Sequence, residues 1–151
     1  MFKIENVQAH CDIPCGIYDP IAAQIAALSV IRMVDLMNDL QKDDSLEYMN
    51  SISRYVAEKE KEAEKVKHEV RIIWGDFIKP PHVQQKPEIH SLAHKIMMLG
   101  SANRQGVSRE KALELLDAVN EFAEIFWELK GVETKEVNSN YAPNLPIVVP
   151  A

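Results

Sequence analysis

The sequence predicts an all-α protein, an antiparallel four-helix bundle, and three observations predict it. Apolar residues recur at three-four spacing in four separate stretches of the chain. Each stretch opens on a capping residue or a proline. The breaks between them are short, as they are between antiparallel neighbours in a bundle. No internal repeat accompanies them, and no convincing strand pattern.

Asp19-Pro20 reads as an N-cap followed by proline at the first helical position. From there Ala22, Ile25, Ala26, Ser29, Met33, Leu36 and Leu40 form the buried stripe of a first helix, which fades in Gln41-Lys42-Asp43-Asp44. Ser45 caps a second, long helix whose stripe runs Met49, Ile52, Val56, Ala63, Val66, Val70, Ile73 and Phe77, with Lys59 filling one position. The charge run Glu58 to Lys65 is expected to be mainly a solvated face carrying i,i+4 pairs. Lys79-Pro80-Pro81-His82 ends this helix, because proline does not continue it. Pro87 opens a third, with Ile89, Leu92, Ala93, Ile96 and Leu99 on one face, and Gly100 to Gly106 is the next break. Ser108 caps a fourth that buries Ala112, Leu115, Leu116, Val119, Phe122, Ala123 and Phe126. Residues 131–151 are polar, then punctuated by Pro143, Pro146 and Pro150, and read as an extended tail ordered against a partner surface.

The 151 residues suit one domain, and 46% hydrophobic with 26% charged residues is an ordinary globular balance. A formal net charge of −6 makes nucleic acid and anionic membrane surfaces poor partners. No apolar run is read as long enough to span a bilayer. Met1 to Ala9 is too short and polar for a secretory signal, although Val7-Gln8-Ala9 has the small-residue look of a cleavage site. The expectation is therefore a cytoplasmic protein, in which two nearby thiols act as ligands or redox groups rather than as a staple.

Both cysteines, Cys11 and Cys15, fall in His10 to Tyr18, a turn-rich loop marked by Pro14 and Gly16. Ligand types concentrate nowhere else so densely. In a chain beginning at His10, the free α-amine, the Cys11 amide nitrogen and the Cys11 thiolate would form two fused chelate rings. The Cys15 thiolate completes a plane of two nitrogens and two sulfurs, and the His10 imidazole is left for the axial side. Such planar fields suit divalent nickel or copper.

The run His10-Cys11-Asp12-Ile13-Pro14-Cys15-Gly16-Ile17-Tyr18-Asp19-Pro20 resembles the H-C-D-x-P-C-G-x-Y-D-P hook of nickel superoxide dismutases. Trp74 to His82 resembles that family's W-x-D-x-x-K-P-P-H segment; Pro87-Glu88-Ile89-His90 and Phe126-Trp127-Glu128 also fit. The likeness runs from His10 to about Lys130. It implies a superoxide dismutase domain over 10–130, a leader over 1–9 removed by a dedicated protease, a homohexamer, and one nickel ion per subunit. By position, His10, Cys11 and Cys15 are the implied metal ligands, while Asp12 and Tyr18 shape the hook and its access route.

Elsewhere in that family a glutamate on the first helix and an arginine on the second support the axial imidazole. The matching positions here are Ala26 and Glu62, so Glu62 becomes a candidate to hold the imidazole from the second helix, against a plain role in the charge run. Lys79 is a candidate for local positive charge that draws in superoxide, against a helix-end lysine meeting the dipole. His90 and His94, four apart, lack a third ligand and read as helix surface; His68 and His82 read as structural, and the methionines as core. The rival functions are a non-catalytic nickel or copper carrier using the same hook, and a structural bundle whose loop docks on a partner.

Overall fold

A computed structural model describes residues 16–151. Four long helices form the bundle: α1 (Ile21–Asp39), α2 (Leu46–Ile72), α4 (Ile89–Gln105) and α5 (Arg109–Leu129), with a short α3 (Pro80–Gln85) between the second and third. Helix α1 packs against α2 and α5, and α4 closes the ring by packing against the same two. Ser45 and Ser108 cap α2 and α5 as expected, their hydroxyls accepting from Tyr48 N–H at 3.0 Å and Lys111 N–H at 3.2 Å. The expected buried faces of α4 and α5 are in the core without exception.

The face of α1 is set differently from the expected stripe. Its buried residues are Ala23, Gln24, Ala26, Ala27, Leu28, Val30, Ile31, Val34 and Met37, so only Ala26 is shared, and Ile25 is 41% exposed. Helix α1 is covered by α2, by α5 and by the folded-back C-terminus, which leaves little solvent side to set the phase of a stripe. By length and composition alone α1 is apolar enough to cross a membrane, contrary to the sequence reading. Its buried residues make it the core helix of the bundle. On α2 the stripe is loaded from Lys59 onward, with Met49 49% exposed. The charge run is not uniformly solvated, because Lys59 and Glu62 are buried.

Three breaks also differ. Helix α2 does not stop but widens into a π turn, Ile73–Phe77, in which Ile78 N–H donates to Ile73 O at 3.1 Å. Pro80 and Pro81 then begin α3, where a missing N–H costs nothing. Gly100 lies inside α4 rather than at its end: a Cβ there would meet Lys67 Cγ at 2.6 Å, so glycine lets the Lys67 stem cross α4.

The C-terminal tail is an antiparallel hairpin of β1 (Thr134–Asn138) and β2 (Pro146–Pro150), with Val137 opposite Ile147. It lies on its own bundle rather than awaiting a partner. Ile147 and Val148 are buried, and Gln24 Nε2 donates to Val148 O at 3.0 Å and to Asn120 Oδ1 at 2.9 Å. Asn120 Nδ2 in turn donates to Pro146 O at 3.0 Å. Strands fastened by side chains so distant in sequence leave no local signature.

Candidate metal centre

His10, Cys11, Asp12 and Cys15 lie outside the described residues. Their seat is visible from Gly16 onward. Gly16 has φ 69, the left-handed conformation that glycine adopts freely. Asp19 Oδ1 accepts from Ile21 N–H at 2.8 Å, and Pro20 O accepts from Ala23 N–H and Gln24 N–H. These bonds anchor the exit of the loop to the first turn of α1.

Tyr18 is half-buried against the π turn, its ring 5.7 Å from that of Phe77. Phe77 is the hub of an aromatic cluster: it stacks on His82 at 4.9 Å with 14° between planes, and meets Phe126 at 4.9 Å. Phe126 packs edge-on to Trp127, and Lys130 Nζ sits 5.3 Å from the Phe126 ring centre. His82 is held for this stack by the N–H of Lys79, which donates to its Nδ1 at 3.1 Å. Trp74 Nε1 likewise donates to His90 Nδ1 at 2.9 Å. The structure therefore brings the separate sequence motifs together: the segments at Trp74–His82, Pro87–His90 and Phe126–Glu128 build the platform on which Tyr18 rests.

A cavity of about 270 Å³ opens beside Tyr18, lined by Ile17, Tyr18 and Asp19 on one side and by His68, Glu69, Ile72 and Ile73 of α2 on the other. The placing of His68 at this wall is something its sequence context does not signal. Phe77 was visible only as one more apolar position of a stripe. Lys79 is exposed at the start of α3, following the π turn.

Glu62 is 7% exposed, seven residues before Glu69 on α2 and so about 10 Å further along the helix axis at 1.5 Å per residue. Among the described residues its carboxylate accepts no hydrogen bond, and the ion pair it makes is with Lys61 Nζ at 4.0 Å. Ala26, the other position at issue, is fully buried in α1. Lys59, one turn before Ala63, is 1% exposed, and its ammonium donates to the carbonyls of Asn103, of Arg104 at 3.1 Å and of Gly106 at 2.9 Å. Burial holds its pKa below the ordinary lysine value. No three His, Cys, Asp or Glu side chains are gathered for a metal among the described residues.

A family model described as nickel-containing superoxide dismutase matches residues 5–130. The superoxide dismutase (Ni) of Streptomyces seoulensis is 36% identical over 125 residues, which are 83% of this chain and 91% of that one. Its counterpart from Streptomyces coelicolor is 37% identical over the same shares. Among solved structures, a native nickel superoxide dismutase superimposes with a TM-score of 0.71 at 36% identity, covering 80% of this chain and 99% of the other. One in the oxidised state does so with a TM-score of 0.72 at 35% identity, covering 81% and 99%. The family match ends at residue 130, before the hairpin begins.

Proposed function

Because the chain belongs to the nickel-containing superoxide dismutase family, we propose that its nickel ion is held, one per subunit, by the hook at its N-terminus. The protein is an oxidoreductase that converts two superoxide anions and two protons into dioxygen and hydrogen peroxide. The family match over 5–130 carries this reading.

The assignment of donors rests on chemistry. Both cysteines of the chain precede Gly16, so any thiolate field is built there. His10 would supply an amine and an imidazole, Cys11 an amide nitrogen and a thiolate, and Cys15 the second thiolate. This set of nitrogen and sulfur donors fits divalent nickel. When bound, nickel supplies a one-electron couple between its divalent and trivalent states. The α-amine exists only after removal of Met1 to Ala9, so maturation by a protease is part of the proposal.

The remaining roles belong to the chain's own residues. Tyr18, seated on Phe77, fixes the exit of the hook, and Asp12 shapes its turn. Lys79 offers positive charge beside the platform on a protein of net charge −6. Glu62 is a nearly buried carboxylate short of donors, suited to accept the second N–H of the His10 imidazole. Assembly as a homohexamer and a cytoplasmic location complete the reading.

Native mass spectrometry of the purified mature protein tests it. The expected species starts at His10, carries one nickel per chain and assembles as a hexamer. Cys11→Ser and Cys15→Ser each abolish superoxide consumption, measured by pulse radiolysis. Full activity in a nickel-loaded chain that still starts at Met1 would overturn the amine assignment.

A further inference from the structure

Hydrogen peroxide leaves with two protons that superoxide does not bring, so the hook needs a supply of them. The cavity of about 270 Å³ beside Tyr18 is the opening that the structure places next to the exit of the hook, and it has room for several waters. Its polar lining consists of Tyr18 and Asp19 from the segment before α1, and of His68 and Glu69 from α2. Imidazole is the one side-chain type among these whose ordinary titration spans neutral pH. His68 is exposed on its outer side and so exchanges protons with bulk solvent, while its position in the cavity wall faces Tyr18. Among the described residues it makes no ion pair or hydrogen bond that would tie up the ring.

Resting on the dismutase reading above, we infer that His68 supplies protons to the hook through the water of this cavity and the Tyr18 hydroxyl. The imidazolium releases one ring proton to cavity water, the hydrogen-bonded chain passes a proton on at Tyr18, and the neutral ring takes a new proton from bulk. Electrons come from the second superoxide of the established reaction, so the relay moves protons alone. His68 acts through Tyr18 and does not touch substrate. The other charged groups near it are Asp19 and Glu69 at the cavity and, one turn away on α2, Glu64, Lys65 and Arg71. Glu64 and Arg71 are paired to each other at 2.8 Å.

His68→Gln keeps a polar side chain of similar size without a titrating group. In weakly buffered solution, turnover of the nickel-loaded wild type should fall with rising pH as His68 loses its proton. The variant should lack that inflection, lie about tenfold lower at pH 6.5 with nickel content and assembly unchanged, and recover as imidazole buffer is added. Superimposable pH profiles would overturn the relay. A second measurement needs no metal: by NMR on the nickel-free protein, Tyr18→Phe should displace the His68 titration midpoint, and an unmoved midpoint would also count against it. A wild type that binds no nickel or consumes no superoxide would instead sink the dismutase reading, leaving the NMR coupling to stand or fall alone.

Discussion

Lys59 and Glu62 sit one turn apart on α2, both inside the bundle, and the protein treats them in opposite ways. The three donors of the Lys59 ammonium go to the carbonyls of Asn103, Arg104 and Gly106. Those are the carbonyls at the end of α4, which have no partner within the helix. The buried cation closes that end where water would otherwise be needed. Glu62 receives nothing comparable: Lys61 stands 4.0 Å away and is itself engaged with Glu58 at 3.1 Å. Its oxygens keep a narrow access to water but accept no hydrogen bond from the described residues. A buried charge whose hydrogen bonds are complete belongs to the architecture. One that lacks them is free to take the role proposed above for Glu62, as acceptor for the His10 imidazole.

The comparison is broken most forcefully at Lys59. Lys59→Met should cost about 3 kcal/mol in urea unfolding of the nickel-free protein, because the buried Asn103 carbonyl and the half-covered carbonyls of Arg104 and Gly106 lose their donor. Turnover per folded chain should be unchanged. Since burial lowers the Lys59 pKa, the unfolded chain binds this proton more tightly than the folded one. Its desolvation penalty is therefore full below the folded value and fades as pH rises to the ordinary lysine value of 10.5. Wild-type stability should gain from this group over that alkaline window, a trend absent in the methionine variant.

Glu62→Gln should do the reverse. Stability of the nickel-free protein should hold or rise by up to about 1 kcal/mol, because a poorly solvated charge is removed. Superoxide turnover should fall about tenfold with nickel content and assembly state unchanged, as for other groups that orient a ligand. Unchanged turnover would return Glu62 to the charge run.

The smallest effect is expected at Glu64, which pairs with Arg71 at 2.8 Å and Arg104 at 2.9 Å in an exposed network. The Arg71 hydrogen bond does most to hold its pKa below the ordinary glutamate value of 4.5. Its contribution is thus present above 4.5 and is lost as pH falls through the lower folded value. Solvent screening keeps it under about 1 kcal/mol. A Glu64→Gln variant compared with wild type by thermal unfolding at pH 7 and pH 3 should show a small gap that closes in acid.

What could be read in the sequence follows from how far each signal reaches. The caps at Ser45 and Ser108 and the faces of α4 and α5 are local patterns, and they are where the sequence puts them. The phase of α1 is not legible there, because a helix covered on three sides, rich in Ala, has almost no polar face to count from. The hook is legible as chemistry because its donors are adjacent in the chain. Its seat is not, since Tyr18 meets Phe77, and shares a cavity with His68, only once α2 has been laid against the start of α1. Lys59 showed in the sequence as an oddity in a stripe, but its partners at the end of α4 lie 44 to 47 residues away.

The clasp on Gln24 has a consequence for how the molecule is made. Its amide bonds to Val148 O, 124 residues later in the chain. At about 5–20 residues per second of synthesis, the first helix waits on the order of 6 to 25 seconds for the strand that completes it. Through that interval α1, the most apolar helix of the bundle, has a side to be covered and only the ribosome's surroundings to cover it. A strand translated long after α1 is thus the one that completes its cover. A chain stopped by premature termination after α5 would leave the Gln24 amide without its Val148 partner, a ready mark for the quality control that sorts incomplete products.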